Sequence, residues 1–126
     1  MIVTSCKPYG VFRGMIKKWK KVGIVSCNSC ARACETGGKE KMEELAQRLK
    51  QDGFDVVDME LVPMACNVDA VKKPEYRADY LVALACDSGV CTLQSLFTDK
   101  IVVPALETIW LGARDVQGNI FLMRKF

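Results

Sequence analysis

Lys21-Val22-Gly23-Ile24-Val25-Ser26 runs directly into Cys27-Asn28-Ser29-Cys30-Ala31-Arg32-Ala33-Cys34 and, past Glu35, into Thr36-Gly37-Gly38. Val22 to Ser26 reads as a short buried strand, because an apolar run of that length bounded by polar residues suits a strand covered on both faces. The glycine pair opens the strongest helical pattern in the chain, Lys39 to Gln51. Met42, Leu45, Ala46 and Leu49 fall on one stripe; Glu40, Glu43 and Glu44 crowd the first turns, and Arg48 and Lys50 the last, as the helix dipole favours. Gly53 ends it. Strand, cysteine-bearing turn and helix together are the opening of a βαβ unit.

Working outward, Phe54 to Val62 reads as a second strand closed by Pro63, and Tyr80 to Ala85 as a third, apolar throughout and so central. Between them, residues 67 to 79 are polar and hold Pro74, which predicts a loop with a short helix. Gly89 to Phe97 reads as a helix, Ile101 to Val103 as a fourth strand ended by Pro104, and Asn119 to Phe126 as an edge strand. Upstream, Pro8 to Lys20 reads as an amphipathic helix with Val11, Met15, Ile16 and Trp19 on its apolar face and a lysine cluster at its C-terminal end. Strands alternating with helices predict an α/β chain: one domain over residues 1 to 126, with a mostly parallel, doubly wound (Rossmann- or flavodoxin-like) sheet of four to five strands.

A length of 126 residues suits one core. No apolar run approaches the ~20 residues of a membrane span. Lys7, Arg13, Lys17 and Lys18 break up any secretory h-region, so the expected compartment is the cytoplasm. The net charge of +3 is too small and too dispersed for a nucleic-acid-binding face. Seven cysteines without an export signal point to metal or redox chemistry rather than disulfides, and the absence of histidine removes Ser-His-Asp catalysis and mixed Cys/His zinc sites.

Those cysteines sit at strand ends. Cys27, Cys30 and Cys34 form a C-x2-C-x3-C run after the first strand, Cys66 follows the second and Cys86 the third. Ligands of an open α/β sheet gather beyond the carboxyl ends of its strands, so thiols scattered in sequence are expected to meet there and to supply metal ligands. The spacing alone fits zinc, an iron–sulfur cluster, or a redox dithiol of Cys27 and Cys30. Thr36, Gly37 and Gly38 are the expected cofactor-binding segment: glycines allow close approach, and amides at a helix N-terminus favour an anionic thiolate cluster. Thr36 also reads as a plain N-cap. Cys91 is expected in the core, and Cys6 as a surface thiol in a mobile N-terminal segment. Asp87 and Glu107 lie just past strand ends near the site, whereas Asp52, Asp55, Asp58 and Glu60 are expected to face water.

The string Cys27-x-x-Cys30-x-x-x-Cys34-x-Thr36-Gly37-Gly38-x-Glu40, then Ala65-Cys66, Leu84-Ala85-Cys86-x-x-Gly89-Val90 and Pro104-Ala105-Leu106-x-Thr108-x-x-Leu111-Gly112 occur in that order over nearly the whole chain. This resembles the small cysteine-rich partner subunit of anaerobe-type methylenetetrahydrofolate reductase, the C-terminal domain family of that reductase. The resemblance implies an iron–sulfur protein (4Fe–4S) or, alternatively, a structural zinc module, associated with a flavin-bearing catalytic subunit. The implied role is an accessory one, electron transfer toward reduction of methylenetetrahydrofolate, with Cys27, Cys30, Cys34, Cys66 and Cys86 matching the family's cysteines. Two features depart from the pattern: the family's second cysteine-rich segment is not in this sequence, and Cys91 stands where relatives carry another residue.

Overall fold

The fold is described by a computed structural model, which covers residues 1–71 and 75–126. Pro74, part of the expected loop, lies outside the described residues. The elements run β1 (Ile2–Cys6), α1 (Tyr9–Arg13), β2 (Lys21–Cys27), α2 (Cys30–Ala33), α3 (Gly38–Gln51), β3 (Asp55–Val62), α4 (Val68–Val71), β4 (Tyr80–Leu84), α5 (Asp87–Leu96), β5 (Ile101–Pro104), β6 (Leu106–Arg114) and β7 (Ile120–Lys125).

The chain is α/β, and its centre is a four-stranded parallel sheet in the order β3-β2-β4-β5. All five residues of β4 are buried, as a strand between two parallel neighbours requires. The winding reverses between β2 and β4: the chain first steps from β2 to β3, then crosses back to β4 and continues to β5. Right-handed crossovers in opposite directions put α3 and α5 on opposite faces of the sheet. Helix α3 buries Met42, Leu45, Ala46 and Leu49, the stripe read from its sequence. Ile24, Leu81, Leu93 and Val103 are among the side chains with no measurable exposure at the centre.

The expectation of one mostly parallel, doubly wound sheet needs correction. A second, antiparallel sheet, β1-β6-β7, stands apart from the first. The chain leaves β5, turns at Ala105, and pairs its next strand with residues at the opposite end of the sequence, Ile2 with Leu111 and Cys6 with Leu106. β1 also ties the two sheets together. Lys7 N–H donates to Ala105 O at 2.9 Å, and the buried hydroxyls of Thr4 and Thr36 share a hydrogen bond of 2.7 Å. The N-terminal segment is therefore strand rather than mobile tail, while β7 is the edge strand expected of the C-terminal segment.

The helix expected over Pro8 to Lys20 is shorter, ending at Arg13 with Gly14 as its C-cap. Of the expected apolar face, Ile16 is buried, whereas Val11, Met15 and Trp19 are exposed, and Phe12 enters the core beside Ile16. Tyr9 and Arg13 both bind Asp52 beyond the end of α3, and Arg48 stacks on the Tyr9 ring 3.8 Å from its centroid. Asp52 is thus paired rather than merely solvated. Asp58 is also engaged: its carboxylate accepts the Ala78 N–H at 2.8 Å and faces Arg77. Among the described residues no helix is long and apolar enough to cross a membrane.

Candidate functional site

The carboxyl edge of the parallel sheet collects the cysteines. Cys27 is the last residue of β2, paired with Val62 at the end of β3. Cys66 lies four positions beyond Val62, in the turn before α4. Cys86 follows β4 and is the N-cap of α5. Cys30 opens α2 and Cys34 caps its end. Three neighbouring strands therefore each deliver a thiol to the same rim, and the point where the winding reverses lies between Cys27 and Cys86.

Close packing holds these segments in place. A Cβ added at Gly89 would meet both Ala65 Cβ and Ala85 Cβ at 2.9 Å, so the first turn of α5 sits directly on the Cys66 turn. Thr92 Oγ1 donates to Cys66 O at 3.2 Å and reinforces that contact. Gly37 is wedged between the ends of β2 and β4, where a Cβ would stand 3.1 Å from both Cys27 O and Leu84 O.

The thiols differ in exposure. Cys27 and Cys86 are buried, Cys30 and Cys34 half-buried, and Cys66 exposed. Burial, partial because the residue is exposed, raises the Cys66 thiol above its usual value, and the neighbouring Cys86, Cys27 and Cys30 push it the same way. Cys86, Cys27 and Cys30 thus all lie near enough to Cys66 to influence it. Two sulfurs accept backbone amides. Ala65 N–H donates to Cys27 Sγ at 3.5 Å, and Ile2 N–H donates to Cys30 Sγ at 3.4 Å. Cys34 Sγ instead donates to Ile2 O at 3.8 Å.

Among the described residues, no three Cys, Asp or Glu side chains are gathered closely enough to hold a metal ion as they stand. A single zinc needs its sulfurs about 2.3 Å away, whereas each thiolate of a cluster meets a different iron and the sulfurs need not converge on one point. The donor chemistry suits either group: soft thiols, buried walls, and amides aimed at two of the sulfurs.

In the expected cofactor-binding segment, Thr36-Gly37-Gly38, the first two amides are engaged within the turn itself. The N–H groups of Thr36 and Gly37 both go to Ala31 O at 2.9 Å. Thr36 does not cap α3, whose N-cap is Gly37; its hydroxyl bonds Ala31 O and Thr4. Gly38, with φ of 86°, turns the chain into α3 and accepts Ser26 Oγ at 2.9 Å. Gly37 and Gly38 line a surface cavity of about 590 Å³ together with Asn28, Arg32 and Lys39, and no cysteine reaches it. The donors that do reach sulfur, Ala65 and Ile2, come from segments remote in sequence, and no local motif marks them.

Cys91 is exposed rather than in the core, because α5 buries Gly89, Val90 and Leu93 and turns Cys91 outward. Cys6 is exposed, as expected. Asp87 and Glu107 are exposed at the same rim, Asp87 donating its N–H to Thr108 Oγ1 at 3.0 Å. Comparison with models of protein families, with curated proteins and with solved structures gave no match.

Proposed function

We propose that this protein holds an iron–sulfur centre, of 4Fe–4S type, through thiolates drawn from Cys27, Cys30, Cys34, Cys66 and Cys86. In this reading it serves as an electron-transfer or accessory subunit of a methylenetetrahydrofolate reductase, docking to a flavin-bearing catalytic subunit in the cytoplasm. One observation carries the first half of the reading: sulfurs from three adjacent strand ends share one rim, close enough that Cys86, Cys27 and Cys30 all act on the Cys66 thiol. The order of motifs along the chain, resembling that reductase's cysteine-rich partner, supports the second half.

When bound, such a centre supplies one-electron chemistry. The protein's own residues supply the rest. Cys27 and Cys86 offer buried ligands on rigid strand ends, and Cys66 offers one on a turn clamped by Gly89 and Thr92. Amide donors at the sulfurs stabilise negative charge there and raise a cluster's reduction potential.

The test is anaerobic purification followed by metal and sulfide analysis and a visible spectrum. Iron with acid-labile sulfide and broad absorbance in the visible blue is the expected result. Colourless protein with stoichiometric zinc assigns a structural docking module instead. Protein that takes up neither, and reversibly forms a Cys27–Cys30 disulfide, overturns the metal reading in favour of a thiol switch. Cys27→Ser and Cys86→Ser are expected to lose most of the metal, and Cys6→Ser and Cys91→Ser to retain it.

A further inference from the structure

We propose that strand β1 is a strap that sorts the two thiols of α2, holding Cys30 toward the cysteine centre through the Ile2 amide and keeping Cys34 out of it through the Ile2 carbonyl. This inference rests on the cysteine-centre reading and adds a positioning role for a backbone segment remote from the cysteine run.

Cys30 and Cys34 lie one helical turn apart and both meet Ile2. The backbone fixes the direction of each bond. An amide N–H can only donate, so the Cys30 sulfur at 3.4 Å is an acceptor. A carbonyl oxygen can only accept, so in its 3.8 Å contact with Ile2 O the Cys34 sulfur is on the donor side. A metal ligand is a thiolate that accepts hydrogen bonds and gives up its hydrogen. The two contacts therefore suit Cys30 to ligation and Cys34 to a structural bond. The neighbourhood of Cys30 agrees: it lies near enough to Cys66, with Cys27 and Cys86, to influence that thiol. Four sulfurs remain for the centre: Cys27, Cys30, Cys66 and Cys86.

β1 is well placed for this task. Met1 and Gly112 exchange both backbone hydrogen bonds, at 2.6 and 2.8 Å, so in an antiparallel ladder the polar groups of the next residue, Ile2, point away from β6. They leave the open edge of the sheet and meet α2. The strand is anchored independently of Ile2 by the Thr4–Thr36 bond and by Lys7 N–H on Ala105 O. A proline at position 2 thus removes the sulfur donor without removing a ladder bond.

The test uses the reduced, metal-free full chain, titrated with cobalt(II) without oxygen. The thiolate-to-cobalt charge-transfer band is recorded, and affinity is measured by chelator competition. Ile2→Pro is expected to bind about 10- to 100-fold more weakly, the usual loss for an outer-shell hydrogen bond to a ligand. Ile2→Ala, which keeps the amide, is expected to bind as the wild type. Cys30→Ser is expected to lose one thiolate's share of the band, and Cys34→Ser, which still offers Ile2 O a donor, to keep the full band. Wild-type affinity in Ile2→Pro, weakened binding in Ile2→Ala, or equal band loss in Cys34→Ser and Cys30→Ser would overturn the strap. Where the wild type gives no thiolate–cobalt band, the same variants are compared by iron and acid-labile sulfide content after anaerobic reconstitution, and a wild type that takes up neither cobalt nor a cluster overturns the cysteine centre itself, and the strap with it. The serine comparison stands even if the proline variant folds poorly.

Discussion

Gly37→Ala is the sharpest single probe of how the site is built. Gly37 occupies extended backbone, so alanine there carries no dihedral strain, and its effect comes from space alone. The new Cβ would stand 2.7 Å from Ala31 Cβ and 3.1 Å from the carbonyl oxygens of Cys27 and Leu84. None of these atoms is the loose end of a long side chain. The two oxygens belong to the ends of neighbouring strands in the parallel sheet, and Ala31 is held in α2 with 1% exposure. Relief requires the backbone segments to part.

Overpacking of this kind costs about 1–3 kcal/mol. The lower entropy of alanine in the unfolded chain returns about 0.4–1 kcal/mol. A net loss of about 1–2 kcal/mol remains. An unfolding entropy near 2.1 cal/mol/K per residue over 126 residues makes each kcal/mol worth about 4 °C, so the melting temperature is expected to fall by about 4–8 °C. Gly10→Ala is the control. Nothing lies within 4 Å of its added Cβ, and alanine replaces glycine in helix α1, so it is expected to raise the melting temperature by about 2–4 °C. Adding Ala31→Gly to Gly37→Ala removes the shortest contact and is expected to show a favourable coupling in a double-mutant cycle. Thermal melts of the four variants and wild type decide the matter: Gly37→Ala melting at or above the wild type refutes the wedge between the strand ends.

Asp52→Asn is expected to lower the melting temperature at neutral pH. Arg13 first, then Tyr9, hold the Asp52 carboxyl below its usual range, so its contribution is full above the unfolded value near 4 and lost as pH falls through the lower folded value; melts from neutral to about pH 2 should show the two proteins converging. Burial pushes the Tyr76 phenol up to about 12, and its oxygen has no partner among the described residues. The wild type should therefore lose stability as pH rises from about 10 toward that value, while Tyr76→Phe should lack this loss and be as stable or about 1 kcal/mol more stable at neutral pH in denaturant titrations. Thr36→Val is expected to cost more than Thr4→Val, roughly 1–3 against 1 kcal/mol, because Thr36 still donates to Ala31 O at 3.1 Å when Thr4 is replaced, whereas the reverse change orphans the buried Thr4 hydroxyl.

What could be read in advance follows the range of the interactions involved. β2, α3 and β4 carry strong local patterns, and each lies within a residue or two of its expected bounds. β1 and β6 were missed because their pairing spans more than a hundred positions, from Ile2 to Leu111, and neither has a clean alternation: β6 buries only Leu106 and Gly112 fully. Ile2-Val3-Thr4 and Thr108-Ile109-Trp110 are β-formers, but propensity alone does not name a partner strand. The stripe through Val11, Met15, Ile16 and Trp19 requires a helix that continues past Gly14; the helix stops there, and of the four only Ile16 is buried. At the site, the strand-end placement of Cys27 and Cys86 was legible because it follows from the parallel sheet. The amides of Ala65 and Ile2 were not, because each reaches its sulfur from 38 and 28 positions away.

The two sheets meet where the chemistry is proposed to be. The second sheet has β1 as one of its edges, and β1 lays Ile2 over Cys30 and Cys34 and Thr4 over Thr36. Its other edge, β7, is exposed along its whole length, Phe121, Leu122 and Met123 included, so apolar burial by β7 is not what anchors this sheet. Attachment instead runs through β1 and the start of β6, where Leu106 and Ala105 enter the core. A disturbance of β1 therefore reaches the α2 thiols directly, whereas one confined to β7 has the whole width of β6 between it and them.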